Sequence, residues 1–213
     1  QILKKSIGIV VFLEETLVGK LSKKMRIIGG KLKNKKINFP KNIKTRPLKD
    51  NVRENIFNIL MHSNIIDIDF ESLNVLDLYA GSGSFGIECL SRGASNVIFV
   101  EKDLDALFNL KKNINNISLL KNSKIISKDI DVFFNDQTLE YNKKFNIIFL
   151  DPPYSDKSFI NYLKVIKEKD LLDKKHILII HREVKSNDNL ERYLSILENR
   201  IYGRSEIFFG KIF

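Results

Sequence analysis

Cysteine is nearly absent from this sequence. Cys89 stands alone, which excludes an internal disulfide framework and a multi-cysteine metal site, and suits a reducing cytoplasm. Long apolar runs are missing too. The run at residues 7–13 is too short to span a bilayer and passes at once into Glu14 and Glu15. Lys4 and Lys5 precede it, but no small-residue cleavage site follows, so it is not read as a secretory signal. No Pro- or Ser-rich linker and no internal repeat divides the 213 residues. That length accommodates one α/β domain with a short appendage and is too short for two full domains.

Negative charge is scarce at one end. Residues 1–60 hold 15 Lys and Arg against 4 Asp and Glu, whereas residues 61–213 hold 21 against 22, which together give the net charge of +10. A basic arm on a near-neutral body is the footprint of a phosphate-backbone binder. A Lys-rich composition shared by the body is the plainer alternative.

Residues 1–24 run through Lys-Leu-Ser-Lys-Lys into Met25, and the chain starts with Gln1. They are expected to be an extra or non-native leader ahead of a start at Met25. Residues 25–61 form a basic appendage. Gly29-Gly30 and an alternating Lys-Lys-Ile-Asn-Phe-Pro stretch predict short hairpin strands. Asp50 is expected to cap a helix whose apolar face is Val52, Ile56, Ile59 and Leu60. From residue 62 to 213 strands and helices alternate. Strands are predicted at 74–79, 97–101, 124–127, 145–150 and 177–181. Helices fall between them at 84–92, after Asp103 and at 158–168, with a turn or brief helix at 131–136. The chain closes with two strands, 193–202 and 206–213, joined at Gly203. A βα series ending in a hairpin predicts a doubly wound, Rossmann-like sheet, mostly parallel with an antiparallel edge.

The first of these strands runs into Asp77-Leu78-Tyr79-Ala80-Gly81-Ser82-Gly83-Ser84-Phe85-Gly86 and then a helix. This is G-x-G-x-x-G in its strand–turn–helix context. Gly81 and Gly83 permit a tight turn and let backbone approach a ligand closely. Glu101 follows Gly81 by 20 residues, where a carboxylate can accept from ribose hydroxyls. The pattern points to a nucleoside cofactor. Asp77 inside the loop would repel a pyrophosphate but suits the cationic methionine end of S-adenosylmethionine. Asp129 could accept from the adenine amine or simply cap the helix before Ile130. Tyr79, Phe85, Lys102 and Ile130 flank these positions and are counted with the cofactor contacts.

The 145–150 strand delivers Asp151-Pro152-Pro153-Tyr154 at its carboxyl end, the edge of such a sheet where ligands bind. Two prolines fix φ and offer no amide hydrogen, so the segment is rigid and its carbonyls point in set directions. Asp151 can accept from a planar amine, and Tyr154 offers a face on which a base can stack, worth roughly 1–3 kcal/mol. A conjugated amine is a poor nucleophile. Hydrogen bonds to Asp151 and a proline carbonyl would orient it for in-line transfer, with Asp151 as first acceptor of the departing proton. A base within a duplex cannot enter, so the target is unpaired or flipped out.

With both motifs, the chain resembles the bacterial 16S rRNA guanine-N2 methyltransferases of the RsmD type, from about Met25 to the C-terminus. The resemblance is carried by Arg26-Ile27-Ile28-Gly29-Gly30, by Thr45-Arg46-Pro47 leading into Val52-Arg53-Glu54, and by Leu90-Ser91-Arg92-Gly93-Ala94, beside the two motifs above. It implies a class I methyltransferase fold with S-adenosylmethionine as cofactor. Asp77, Gly81, Gly83 and Glu101 would be cofactor contacts, and Asp151 through Tyr154 the amine pocket. Its substrate would be 16S rRNA in small-subunit particles. A cytoplasmic monomer without metal is expected. Arg26, Lys31, Lys33, Lys35, Lys36, Arg46 and Arg53 are the candidates for phosphate contacts. His181-Arg182 departs from the family pattern, and His181 is taken as structural. Three rivals are a DNA adenine-N6 or cytosine-N4 methyltransferase, a nicotinamide oxidoreductase, and a non-catalytic RNA-binding protein. About 50 N-terminal residues are little for a duplex-reading domain, and Asp77 with the tetrapeptide argues against a nicotinamide.

Overall fold

The computed structural model describes residues 25–40, 48–136, 144–186 and 188–213. The leader at 1–24 and Arg46 lie outside these residues. The chain opens with β1 (Met25–Arg26) and β2 (Lys36–Ile37), paired antiparallel, and α1 (Asp50–His62). The alternating unit follows: β3 (Asn74–Leu78), α2 (Ser84–Arg92), β4 (Asn96–Val100), α3 (Leu104–Asn116), β5 (Ser123–Ile126), α4 (Ile130–Asn135), β6 (Phe145–Leu150), α5 (Phe159–Glu168) and β7 (Leu172–Glu183). β8 (Leu194–Tyr202) and β9 (Ser205–Ile212) close it.

Among the described residues seven strands make one sheet in the order β5-β4-β3-β6-β7-β9-β8. β3 to β7 run parallel, and the terminal hairpin adds antiparallel strands against β7. The order reverses between β3 and β6, so the crevice beyond their carboxyl ends is the switch point at which such sheets bind ligands.

Side-chain alternation explains the apolar strands, because both faces of the sheet are covered. Val75, Val97, Phe99, Ile147, Phe149, Ile177 and Ile179 point to one core, shared with α1, α2 and α3. Leu76, Leu78, Val100, Ile148, Leu150, Leu178 and Ile180 point to the other, shared with α4 and α5. Val52, Ile56, Phe57 and Leu60 of α1 belong to the first core. Fully burying such a side chain contributes about 1.5–3 kcal/mol.

Several local signals are realised. Asp103 caps α3 by accepting from Ala106 N at 2.9 Å, and α2 stops at Gly93 in a left-handed conformation. Asp50 does not cap α1 as expected. It is the first helical residue, and its carboxylate bonds the Arg53 guanidinium at 3.1 Å instead.

Glu88 in α2 fastens the N-terminal segment. Its buried carboxylate accepts from Ile28 N at 2.8 Å, Gly29 N at 2.7 Å and Arg92 Nε at 2.9 Å. Ser91 donates to the Gly29 carbonyl at 2.6 Å and accepts from Leu32 N at 2.9 Å. Arg53 is part of this interior. It is 0 % exposed and donates to the Arg26 carbonyl at 2.5 Å. Burial lowers its pKa against the raising effect of Asp50 and Glu88. It cannot reach a phosphate, which corrects its assignment as an RNA contact. Its position on the inner face of α1 at i, i+3 from Ile56 is the reason. Arg26, Lys31, Lys33, Lys35 and Lys36 are exposed.

Candidate active site

The glycine turn leaves β3 through Tyr79, which sits at φ 63°, followed by Gly81 at φ 57° and Gly83 at φ 82°. Ala80 N donates to the Val100 carbonyl and Gly83 N to the Ala80 carbonyl, so the turn is tied to the sheet and to itself. The two glycines serve different ends. A Cβ on Gly81 would meet nothing within 4 Å, so the turn there faces open space. A Cβ on Gly83 would lie 2.4 Å from Leu110 Cδ1, so its bareness serves the packing of α3.

Two carboxylates hold this turn. Glu101 Oε2 accepts from Gly81 N at 2.7 Å, while Oε1 accepts from Lys102 N at 2.8 Å and Asp103 N at 2.7 Å. Asp77, 1 % exposed, accepts from Gly86 N at 3.0 Å through Oδ2. Its Oδ1 is buried with no partner among the described residues. Burial pushes the Asp77 carboxyl well above the usual carboxylate range against the Gly86 hydrogen bond, and the charges of Asp151 and Glu101 add to the rise. An open glycine and an orphaned buried oxygen fit a ligand with a cationic end.

Other cofactor candidates fall into place unevenly. Asp129 caps α4 by accepting from Asp131 N, and Lys102 Nζ bonds its other oxygen at 2.7 Å, which holds its pKa low. Phe85 is a correction. Its ring is stacked in the core between Phe57 at 5.3 Å and Phe149 at 4.0 Å, so its side chain is not available to a ligand. The physical cause is helical phase, since it sits on the sheet-facing side of α2. Ile130 likewise puts its side chain in the second core. What it still offers is a backbone N–H in the first turn of a helix, where no intrahelical partner exists.

The tetrapeptide lies beside the turn. Leu78 pairs with Leu150 in register, so Tyr79 and Asp151 leave adjacent parallel strands, about 4.8 Å apart. The Tyr79 hydroxyl donates to Asp156 Oδ2 at 2.8 Å, which links the two loops a second time. Burial and that bond push the Tyr79 hydroxyl pKa far up, while bonds from Ser158 and Tyr79 hold Asp156 low despite its burial. Pro152 is buried and Pro153 exposed. Asp151 Oδ1 lies 2.7 Å from His181 Nδ1, and the Tyr154 ring stands edge-on to His181 at 6.0 Å. Arg182, fully buried, donates to the Pro153 carbonyl at 3.1 Å and the Tyr154 carbonyl at 3.0 Å. Sequence reasoning set His181 aside as structural and left Arg182 without a role. The available signal was His-Arg at the end of the strand neighbouring the tetrapeptide.

The model of the family described as Conserved hypothetical protein 95 matches residues 25–211. A ribosomal RNA small subunit methyltransferase D from Buchnera aphidicola is 30 % identical over 84 % of this chain and 88 % of its own length. The chain belongs to this methyltransferase family. Another member, the ribosomal RNA small subunit methyltransferase D of Escherichia coli, is 28 % identical over 78 % of each chain. Among solved structures, the Escherichia coli protein yhhF superposes with a TM-score of 0.73 at 24 % identity, covering 89 % of this chain and 98 % of that one. The shared fold is the Rossmann-like class predicted from the sequence. No helix among the described residues is long and apolar enough to cross a membrane.

Proposed function

We propose that the protein transfers a methyl group from S-adenosylmethionine to the exocyclic N2 amine of a guanine in 16S rRNA of the small ribosomal subunit. The observation that carries this is the register of β3 with β6, which sets the glycine turn beside Asp151 at one sheet edge. An ammonium near Asp77 Oδ1 would give that orphaned oxygen its missing donor and favour its charged form. Glu101, held rigid by three backbone amides, has about one lone-pair site left, on Oε2, for a ribose hydroxyl. Asp129 and the Ile130 N–H would meet the adenine edge, with Tyr79 and Lys102 bordering it. Bound there, S-adenosylmethionine supplies an electrophilic methyl on sulfur.

The chain's own residues do the rest. Asp151 accepts from the amine and fixes its lone pair toward the methyl, an orientation worth several kcal/mol. It also takes the proton that leaves nitrogen. Pro152 and Pro153 keep the segment rigid, and Tyr154 stacks on the unpaired base. Arg26, Lys31, Lys33, Lys35 and Lys36 contact phosphates, and Arg46 is proposed with them. The substrate printed for the named relatives supports RNA over DNA and over a nicotinamide. The same proposal has the protein act in the cytoplasm, as a monomer without metal. Small subunits lacking the modification should accept label from the cofactor and yield N2-methylguanosine on mass mapping. Labelling of bare DNA with no labelling of subunits would reject the proposal.

A further inference from the structure

Near the end of β7 stand His181 and Arg182, whose side chains leave opposite faces of the sheet and both close on the tetrapeptide. On the first face, the 2.7 Å contact joins His181 Nδ1 to Asp151 Oδ1. An ionised carboxylate cannot accept from a bare nitrogen lone pair, so the proton of this contact sits on Nδ1. Nε2 is buried without a partner among the described residues, and Tyr154 closes the near side of the ring. On the second face, Arg182 holds the Pro153 and Tyr154 carbonyls. Its Nε binds Asp188 at 2.5 Å, and its guanidinium lies 4.5 Å over Phe159.

These bonds occupy Asp151 Oδ1 and the two later carbonyls. Among the described residues no donor reaches Asp151 Oδ2 or the Pro152 carbonyl. Two acceptors are left, and a primary aromatic amine has two N–H groups to place. We infer that His181 is a positioning residue: it acts through Asp151, holding Oδ1 so that Oδ2 meets one N–H while the Pro152 carbonyl takes the other. This rests on the methyl transfer proposed above and adds a residue to it.

The test compares three variants on small subunits. His181→Phe keeps the bulk and removes the donor. His181→Asn restores an N–H close to the Nδ1 position, and His181→Gln places it nearer Nε2. His181→Phe should lower kcat by roughly 10- to 100-fold, with KM for subunits and cofactor affinity within about twofold. His181→Asn should recover most of that loss and His181→Gln little. In an Asp151→Asn background, His181→Phe should cost little more, because residues that act as a unit are not additive. Full kcat in His181→Phe, or equal rates in His181→Asn and His181→Gln, would overturn the inference. Cofactor titration and melting identify any variant that is slow because it is unfolded, and the Asn-against-Gln comparison then decides. A wild-type protein silent on subunits would count against the proposed function instead. Ring-nitrogen NMR is independent of substrate: Nδ1–H is expected at His181, and an Nε2–H tautomer would overturn the positioning role.

Discussion

The glycine turn and the proline tetrapeptide meet at one sheet edge but are made rigid by opposite means. The turn keeps its N–H groups and is held by acids: Glu101 takes the Gly81 amide, besides those of Lys102 and Asp103 that anchor Glu101 itself, and Asp77 takes the Gly86 amide. The tetrapeptide has two residues without N–H and is held by bases, with Arg182 on its carbonyls and His181 on its carboxylate. The lesson is that each loop spends the polarity it does not need for a ligand on its own support. The acceptors left free among the described residues are Asp77 Oδ1 in one and Asp151 Oδ2 in the other.

Substitutions can break this contrast, and Asp151→Ala should do so most severely. Methylation of small subunits should fall by more than about 1,000-fold, because positioning and proton acceptance are lost together. Cofactor affinity should stay near normal by calorimetry. Arg182→Met comes next and acts on the fold. It takes the donor from the Tyr154 carbonyl, leaves the Pro153 carbonyl to Asp156 N, and leaves Asp188 to Lys157 and Ser186. Chemical denaturation should show a loss of about 3 kcal/mol, the low end for a broken buried pair because Lys157 stays. Glu101→Ala frees three amides at a partly open edge. Its effect should be a cofactor affinity weakened by roughly 10- to 100-fold, from charged hydrogen bonds worth about 1.5–3 kcal/mol, with little change in melting.

Asp77→Asn should have the smallest effect and the opposite sign for stability. The native carboxyl titrates above its unfolded value, so the folded state binds more protons between the two. Wild-type stability therefore falls as pH rises through that window, and the fall is complete above the native pKa. Asn keeps the acceptor for Gly86 and cannot ionise. Denaturation across pH should show the variant gaining on the wild type as pH rises, by about 1 kcal/mol, while cofactor binding weakens. An unchanged pH slope would mean that Asp77 is ionised in the folded protein.

Much of this architecture was legible in the residues. Strands buried on both faces are written as unbroken apolar runs, as in residues 145–150, and the glycine turn and Asp-Pro-Pro-Tyr announce their own geometry. β7 was underestimated because Asp173, Lys174, Lys175 and His176 interrupt its apolar signal. The register jumps there from Phe145↔Leu172 to Ile147↔Ile177, so those polar residues form an irregularity in the strand. Arg53 and Phe85 were misplaced for one reason. A motif gives spacing along the chain, while helical phase decides which side chains turn inward, and both turn into the first core. The contact of His181 with Asp151 was not legible, because it joins residues thirty positions apart, which strand pairing supplies and spacing along the chain does not.

The grip of Glu88 on Ile28 and Gly29 carries a consequence for distance. Pinned at its root to the same helix that follows the glycine turn, the lysine-bearing ribbon cannot swing like a tether. Under the proposed RNA contacts it would work as a gauge: a polyanion resting on Lys33 and Lys35 would stand at a set span from Asp151. A strand whose unpaired base lies too near or too far along its backbone would then be refused by length alone, before any atom of the base is inspected.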